Sequence, residues 1–442
     1  MTRTKDSKQM RVCMFCGRQA KQIEFDCECF RGPRKPWSSP AKKSAIWRKN
    51  EKGWGEYTVA AVAGEKAAAF QRLRRFGLMR EMNFPHYRLT KKEKAQELRS
   101  LFKYGPAKIT DGKIEQTMHA QGFCWSYHPH AWEVSSGDAL TPMEVFLNDE
   151  KLMKVLDMRA YNGSVNSLTD SEVRKGLKAV TQGVSNFRPT AAWAVYERYC
   201  REHATVYDPS MGWGGRLLGA VGCRKVSKYV GCDPSTKTFE GLKQMVADLR
   251  RMVPYRFDLA SFPHLPPNFE GSLEDFNMQV EMHMLGSEDF RPEQGSVDLA
   301  FTSPPYFEGN GIVESYSDEP TQSHIKFPQL DQWLEAFIGQ TICNCYLALK
   351  PGGILALNVS DELAEAVTDQ AVKNGFVYVE TLRLRLSPII GGTKYNHCRE
   401  CQRVTGEANG TDPVVPAFGG KWKKCDKHKY KTEPIFVFKK KP

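Results

Sequence analysis

The sequence predicts an α/β protein organised on a mostly parallel, doubly wound sheet, and three observations carry that expectation. The apolar run Thr205-Val206-Tyr207 closes on Asp208 and leads through Gly212-Trp213-Gly214-Gly215 into an apolar helix. The next run, Tyr229-Val230-Gly231-Cys232, again closes on an acid, Asp233. A third, Val297-Asp298-Leu299-Ala300-Phe301, ends in Thr302-Ser303-Pro304-Pro305-Tyr306. Strands covered on both faces read as short apolar runs, and ligands meet such sheets at the carboxyl ends of the strands. Strands are therefore expected to end near Asp208, Asp233, Ser287, Thr302 and Asn358, with helices between them. Residues 376–386 and 435–439 are expected to form a last hairpin, interrupted by an insert.

Each motif has a physical reason. Glycines permit positive φ and close backbone approach, which a ligand at a strand end requires. The spacing here is Gly-x-Gly-Gly, which is not the dinucleotide fingerprint. A carboxylate ending the second strand, Asp233, is placed to accept from ribose hydroxyls. Ser303-Pro304-Pro305-Tyr306 cannot continue a ladder, because two prolines remove two donors. The carbonyls of Ser303 and Pro304 are freed to face a cleft beside the Tyr306 ring. Acceptors next to a flat ring suit a flat molecule with an exocyclic amino group, such as a nucleobase. Taken singly, the turn and the Ser-Pro-Pro-Tyr step read as packing features; it is their order along the chain that points to a ligand site.

Residues 186–440 resemble the S-adenosylmethionine-dependent DNA amino-methyltransferases of the cytosine-N4/adenine-N6 group. The likeness is carried by Asn186-Phe187-Arg188-Pro189-Thr190, the Asp208–Gly215 stretch, Asp233, Gly286-Ser287-Glu288-Asp289-Phe290 and Thr302-Ser303-Pro304-Pro305-Tyr306. Leu349-Lys350-Pro351-Gly352-Gly353 with the apolar run after it, and Glu433-Pro434-Ile435-Phe436-Val437-Phe438, resemble the fifth strand and the last, antiparallel strand of that fold. The resemblance implies a Rossmann-like methyltransferase with a mostly parallel seven-stranded sheet. It implies that Phe187 and Thr190 border the cofactor pocket, that Gly212, Gly214 and Gly215 pass the methionine portion, and that Asp208 faces its ammonium. Asp233 would hold the ribose and Asp289 the adenine edge; Gly286, where many relatives carry an acid, departs from the family pattern at that contact. Ser303, Pro304, Pro305 and Tyr306 would be catalytic: Ser303 and Pro304 would accept the amino protons, and Tyr306 would stack on a base flipped out of duplex DNA. Ser303 replaces the Asp or Asn of many adenine-modifying relatives, which favours cytosine N4, with adenine N6 as the alternative.

Length and charge fit a multidomain nucleic-acid enzyme. The chain has 442 residues and a formal net charge of +12. Residues 1–115 carry 27 basic and 12 acidic side chains and residues 391–442 carry 12 and 5, so the middle is net acidic. Basic ends around an acidic middle suit a phosphate backbone held by appended parts. No run approaches the ~18 apolar residues of a membrane span, and residues 1–10 carry no export pattern. The expected setting is a reducing cytoplasm, bacterial or phage-infected, where clustered cysteines bind metal rather than pair.

Three parts are expected: a basic Cys-rich lobe at 1–53, a basic helical region at 54–185, and the methyltransferase domain at 186–442 with an insert at 391–430. In the insert, Cys398-x2-Cys401, 23 residues and Cys425-x2-His428 follow a zinc-ribbon pattern. Cys13, Cys16, Cys27 and Cys29 form a second candidate zinc group. Four protein ligands leave no open position, so both zincs would be structural. Residues 64–82 read as a helix with a basic face, and Thr90 with Glu93 as a capping box. The segment 123–134, with Cys124, His128 and His130, reads as a packed aromatic patch, and residues 308–327 as a lid. No nuclease motif is present, so a stand-alone enzyme is expected in preference to a restriction pair. The competing readings are an RNA base methyltransferase and a zinc-containing nucleic-acid-binding protein with a degenerate enzyme fold; the intact glycines and Ser-Pro-Pro-Tyr oppose the latter.

Overall fold

The computed structural model describes residues 10–12, 19–21, 84–136, 139–161, 170–181, 183–252, 278–308, 311–312, 314–317, 319–388 and 430–442. Both cysteine groups expected to bind zinc, and the basic helix at 64–82, lie outside the described residues. The chain divides into two compact units, residues 1–86 with 139–182, and residues 87–138 with 183–442. Residues 87–138 therefore belong with the large sheet.

In the smaller unit, helices Pro142–Leu147, Asp149–Tyr161 and Asp170–Val180 follow one another. Thr141 and Glu144 close a capping box on the first, satisfying two end N–H groups. Phe84 meets Phe146 edge-on at 5.1 Å, and Arg174 donates to the Pro85 carbonyl at 2.8 Å.

The larger unit runs in chain order through α1 (Lys91–Tyr104), β1 (Ile109–Thr110), β2 (Lys113–Ile114), α2 (Gln121–Trp125) and α3 (Pro189–Tyr199). It continues with β3 (Ala204–Asp208), α4 (Gly215–Gly222), β4 (Val226–Cys232), α5 (Thr236–Met252), β5 (Gln279–His283) and β6 (Val297–Thr302). The last elements are α6 (Gln340–Ala348), β7 (Leu349–Asn358), α7 (Ala364–Lys373), β8 (Phe376–Pro388) and β9 (Tyr430–Lys440). Thr90 caps α1 in the box expected with Glu93.

The strands form one sheet in the order β1-β2-β8-β9-β7-β6-β3-β4-β5. From β7 through β5 every neighbour is parallel, while β9 runs antiparallel to both β7 and β8. This is the Rossmann-like α/β class expected, with one correction: the sheet has nine strands where seven were expected. The extra two, β1 and β2, extend the edge beyond β8, where Leu384 pairs with Ile114. They are two residues long each, too short to show a period in sequence. A second difference is that β5 stops at His283, before the expected Ser287; the chain turns at Gly286, whose carbonyl accepts from Asp289 N–H.

Alternation along the strands divides the core into two layers. Val206, Tyr229, Leu299, Phe301 and Val437 point to one face with α3, α4 and α5. Tyr207, Val230, Ala300, Phe436 and Phe438 point to the other, with α6 and α7. Successive side chains of a strand face opposite ways, and here both faces are covered, which is why these strands read as unbroken apolar runs. Among the described residues no helix is long and apolar enough to cross a membrane.

Phe301 joins the sheet to α3 and the segment before it: it is fully buried, with its ring edge-on to Phe187 at 5.2 Å and to Tyr196 at 5.7 Å. Phe301→Ala is expected to cost about 3–5 kcal/mol, measured by urea unfolding.

Candidate active site

The glycine turn and the Ser-Pro-Pro-Tyr step leave neighbouring strands on the same edge of the sheet. β3 and β6 are paired in parallel, so the segments after Asp208 and after Thr302 emerge side by side. They line one cleft: Phe187, Ser210, Gly212 and Asp233 on one side, Ser303, Pro304, Pro305 and Tyr306 on the other.

The turn is built for close approach. Gly212 and Gly214 have φ of +53° and +79°, the region that glycine enters without a Cβ penalty. A Cβ on Gly214 would lie 2.7 Å from the Met245 sulfur, and one on Gly215 only 1.9 Å from the Phe187 carbonyl oxygen. Gly214 and Gly215 thus work behind the cleft wall, where they let α4 begin against α5 and against the Phe187 backbone respectively. Trp213 anchors the turn, packed among Trp125, His128, His130 and Tyr316 with ring centroids at 5.3–5.7 Å. The aromatic segment 123–134 is therefore the seat of this turn. Burial, with His130 beside it, holds His128 down to about 3, and burial holds His130 down to about 4, so both rings stay neutral at physiological pH.

Under the turn lies a buried ion pair. Asp208 and Arg216 are almost fully buried, with Arg216 Nε 2.9 Å from Asp208 Oδ2. Tyr229 also donates to Asp208, and Arg216 donates to the Ser210 carbonyl. Burial opposes the guanidinium charge, but Asp208 beside it keeps Arg216 protonated above its ordinary range. The Asp208 carboxylate does not line the cleft, so it does not face a ligand ammonium as expected: Arg216 and Tyr229 already hold it.

Asp233 ends β4 and lines the cleft, accepting from Gly212 N–H at 2.9 Å and Ser235 N–H at 3.0 Å. Burial pushes its carboxyl up to about 7, against those two hydrogen bonds. Phe187 lines the cleft, but Thr190 is fully buried behind it, where its hydroxyl accepts from Thr117 N–H at 3.2 Å. Asp289 is not at the cleft wall; it is half-exposed and paired with Lys326 at 2.7 Å.

The cleft has residues that the motif reading passed over. Glu288, next to Asp289, lines it, and its Oε2 is buried with no hydrogen-bond partner among the described residues. Asn186 lines it with an unpartnered Nδ2. Tyr306 Oη lies 2.9 Å from Asn358 Oδ1, 2.5 Å from Glu433 Oε1 and 3.1 Å from Ser303 Oγ. These residues come from three strand ends, β6, β7 and β9, whose registers align Thr302 with Leu357 and Asn358 with Ile435. Such a meeting depends on strand order, which no spacing along the chain encodes. Glu288 had a local signal, being the acid next to the one chosen. The segment expected as a lid reaches the same cleft through Tyr316, Gln322 and Ser323, and Glu319 accepts from Thr236 N–H at 3.0 Å. Among the described residues no cluster of His, Cys, Asp and Glu is arranged for a metal.

No family model and no curated protein matches the chain. Among solved structures it is similar to an S-adenosylmethionine-dependent O-methyltransferase from Thermotoga maritima, at 11% identity over 59% of this chain and 68% of that one, TM-score 0.31. It is similar also to a putative RNA methyltransferase from Pyrococcus horikoshii, at 11% identity over 57% and 81%, TM-score 0.30. A third is a geranyl diphosphate C-methyltransferase from Streptomyces coelicolor, at 10% identity over 62% and 82%, TM-score 0.31. Likenesses this slight carry no argument about activity; the geometry of the cleft carries it.

Asp233 gives the site a pH signature. A carboxyl whose folded pKa lies above its ordinary 3.8 adds stability that is complete below about pH 4 and lost as pH rises through about 7. Between pH 4 and pH 8, Asp233→Asn is expected to lose less stability than the wild type, by on the order of 3 kcal/mol, measured by urea unfolding at both pH values.

Proposed function

We propose that this protein transfers a methyl group from S-adenosylmethionine to the exocyclic amino group of a base in DNA, cytosine N4 before adenine N6. One observation carries the reading: a glycine turn with a second-strand acid, and a strand ending in Ser-Pro-Pro-Tyr, line a single cleft.

The polar groups on the first side fit a zwitterionic nucleoside. Asp233 would accept from ribose hydroxyls. The unpartnered Glu288 Oε2 would accept from an adenine amino group, and the unpartnered Asn186 Nδ2 would donate to a carboxylate. An unpaired buried polar atom costs free energy that a ligand recovers, and two of opposite kind flank this cleft. When bound, S-adenosylmethionine supplies an electrophilic methyl group on a sulfonium.

On the second side the residues activate an amine whose lone pair is delocalised into its ring. Ser303 Oγ and the Pro304 carbonyl would accept the two amino hydrogens and draw the nitrogen toward tetrahedral geometry, which frees the lone pair for in-line attack on the methyl carbon. The methyl–sulfur bond breaks, S-adenosylhomocysteine leaves as a neutral thioether, and the cationic nitrogen sheds one hydrogen as a proton to water. No strong base is required; orientation and fixed dipoles carry the rate. The Tyr306 ring would support the flipped base. The basic ends of the chain would hold the phosphate backbone. Cys398, Cys401, Cys425 and His428, and separately Cys13, Cys16, Cys27 and Cys29, would hold structural zinc.

Ser303→Ala is expected to lower turnover by about 10²-fold with little change in cofactor affinity, read by tritium transfer to DNA and by calorimetry. Gly214→Val, which meets both positive φ and the Met245 sulfur, is expected to abolish S-adenosylmethionine binding in the same titration. Transfer assayed on duplex DNA and on total RNA, with nucleoside mass spectrometry of the product, identifies the polymer and the base. Product confined to RNA would overturn the DNA reading, and N6-methyladenine would overturn cytosine.

A further inference from the structure

Ser303 presents a hydroxyl, which both donates and accepts, at a place where binding an amino group calls for an acceptor alone. The groups behind it resolve that ambiguity. Asn358 Nδ2 donates to the Pro434 carbonyl at 2.7 Å, so its Oδ1 is the atom turned toward Tyr306. Glu433 offers a carboxylate 2.5 Å from the Tyr306 oxygen. The phenol therefore faces two acceptors that cannot donate to it. It has one hydrogen, and a hydrogen bond to an ionised oxygen is about twice as strong as one between neutral groups. The phenol hydrogen goes to this acceptor pair, Glu433 before Asn358, so toward Ser303 Tyr306 Oη is an acceptor, and Ser303 Oγ–H, 3.1 Å away, donates to it. With its own hydrogen engaged there, Ser303 presents lone pairs to the cleft.

We propose that Glu433 fixes the direction of the chain Ser303 → Tyr306 → Glu433 and thereby makes Ser303 an obligate acceptor, which admits amino-bearing bases and rejects keto bases at the reacting position. This rests on the methyl-transfer reading above and adds the residue that polarises it. Glu433 acts through Tyr306 and is a positioning residue. A serine supported in this way serves as the acceptor that Asp or Asn would supply directly.

The test is a double-mutant cycle on the full-length protein, using tritiated S-adenosylmethionine and unmethylated duplex DNA of mixed sequence, with total RNA in parallel. Glu433→Gln preserves shape but removes the charged acceptor and can turn an NH₂ toward Tyr306 that competes with Ser303 Oγ–H for the phenol oxygen. It is expected to lower kcat about 10–100-fold while the Kd for S-adenosylmethionine stays within about twofold. In a Ser303→Asn background, whose side-chain carbonyl accepts without help, the same change is expected to cost less than about threefold. Glu433→Asp, which keeps a charged acceptor, is expected to recover part of the lost rate. Equal losses in both backgrounds, no loss in either, or a Ser303→Asn protein devoid of transfer would overturn the inference and leave the methyl-transfer reading standing. A wild-type protein that binds the cofactor yet labels neither DNA nor RNA would overturn both. Thermal unfolding of each variant identifies a loss due to misfolding; should Glu433→Gln misfold, Glu433→Ala, which also removes the acceptor, completes the same comparison in both backgrounds.

Discussion

The buried pair of Asp208 and Arg216 is the constraint from which the candidate site is built. Asp208 ends β3, Arg216 belongs to the first turn of α4, and the loop between them is the glycine turn. The guanidinium also reaches the Ser210 carbonyl, Tyr229 reaches the carboxylate from β4, and Tyr196 of α3 donates to the Arg216 carbonyl at 3.1 Å. Two strands and two helices are thus held by one charge pair. Taking two charges out of water is expensive, and removing either partner would strand the other. Such a pair contributes little net stability but admits one arrangement of the turn above it.

From that base the cleft divides its labour between two kinds of polar group. On the turn side the acids and amides are left with unmet hydrogen-bonding capacity: Glu288 Oε2 and Asn186 Nδ2 have no partner among the described residues, and Asp233 is held close to neutrality by burial. On the Ser-Pro-Pro-Tyr side the groups are already connected, through Tyr306 to Asn358 and Glu433. One side keeps buried polar atoms without a partner among the described residues, and on the other the polar groups bind one another.

Much of this was legible in the sequence because it was local. The apolar runs of β3, β4, β6 and β7, the glycine turn and the proline step follow from backbone chemistry within a few residues. The hairpin of β8 and β9, whose strands are far apart in sequence, was legible through the family resemblance of the last strand. What escaped was non-local. The family resemblance assigns Asp208 to a ligand ammonium, yet only the fold shows that Arg216, eight residues on, turns back to claim it. Motif position points to Thr190 and Asp289, but one packs behind the cleft and the other faces solvent. Glu433 looked like the start of a strand, and its meeting with Tyr306 spans 127 residues. β1 and β2 were too short to carry any period.

The reversed direction of β9 has an effect of its own. Every other strand that reaches the cleft arrives there at its finish, whereas β9 arrives near its beginning, so Glu433 stands just downstream of the long connection from β8. β9 therefore brings Glu433 to the Ser-Pro-Pro-Tyr side of the cleft from its first residues, far in sequence from the glycine turn. A change in the first residues of β9 can thus alter the Ser-Pro-Pro-Tyr side of the cleft without touching the glycine turn.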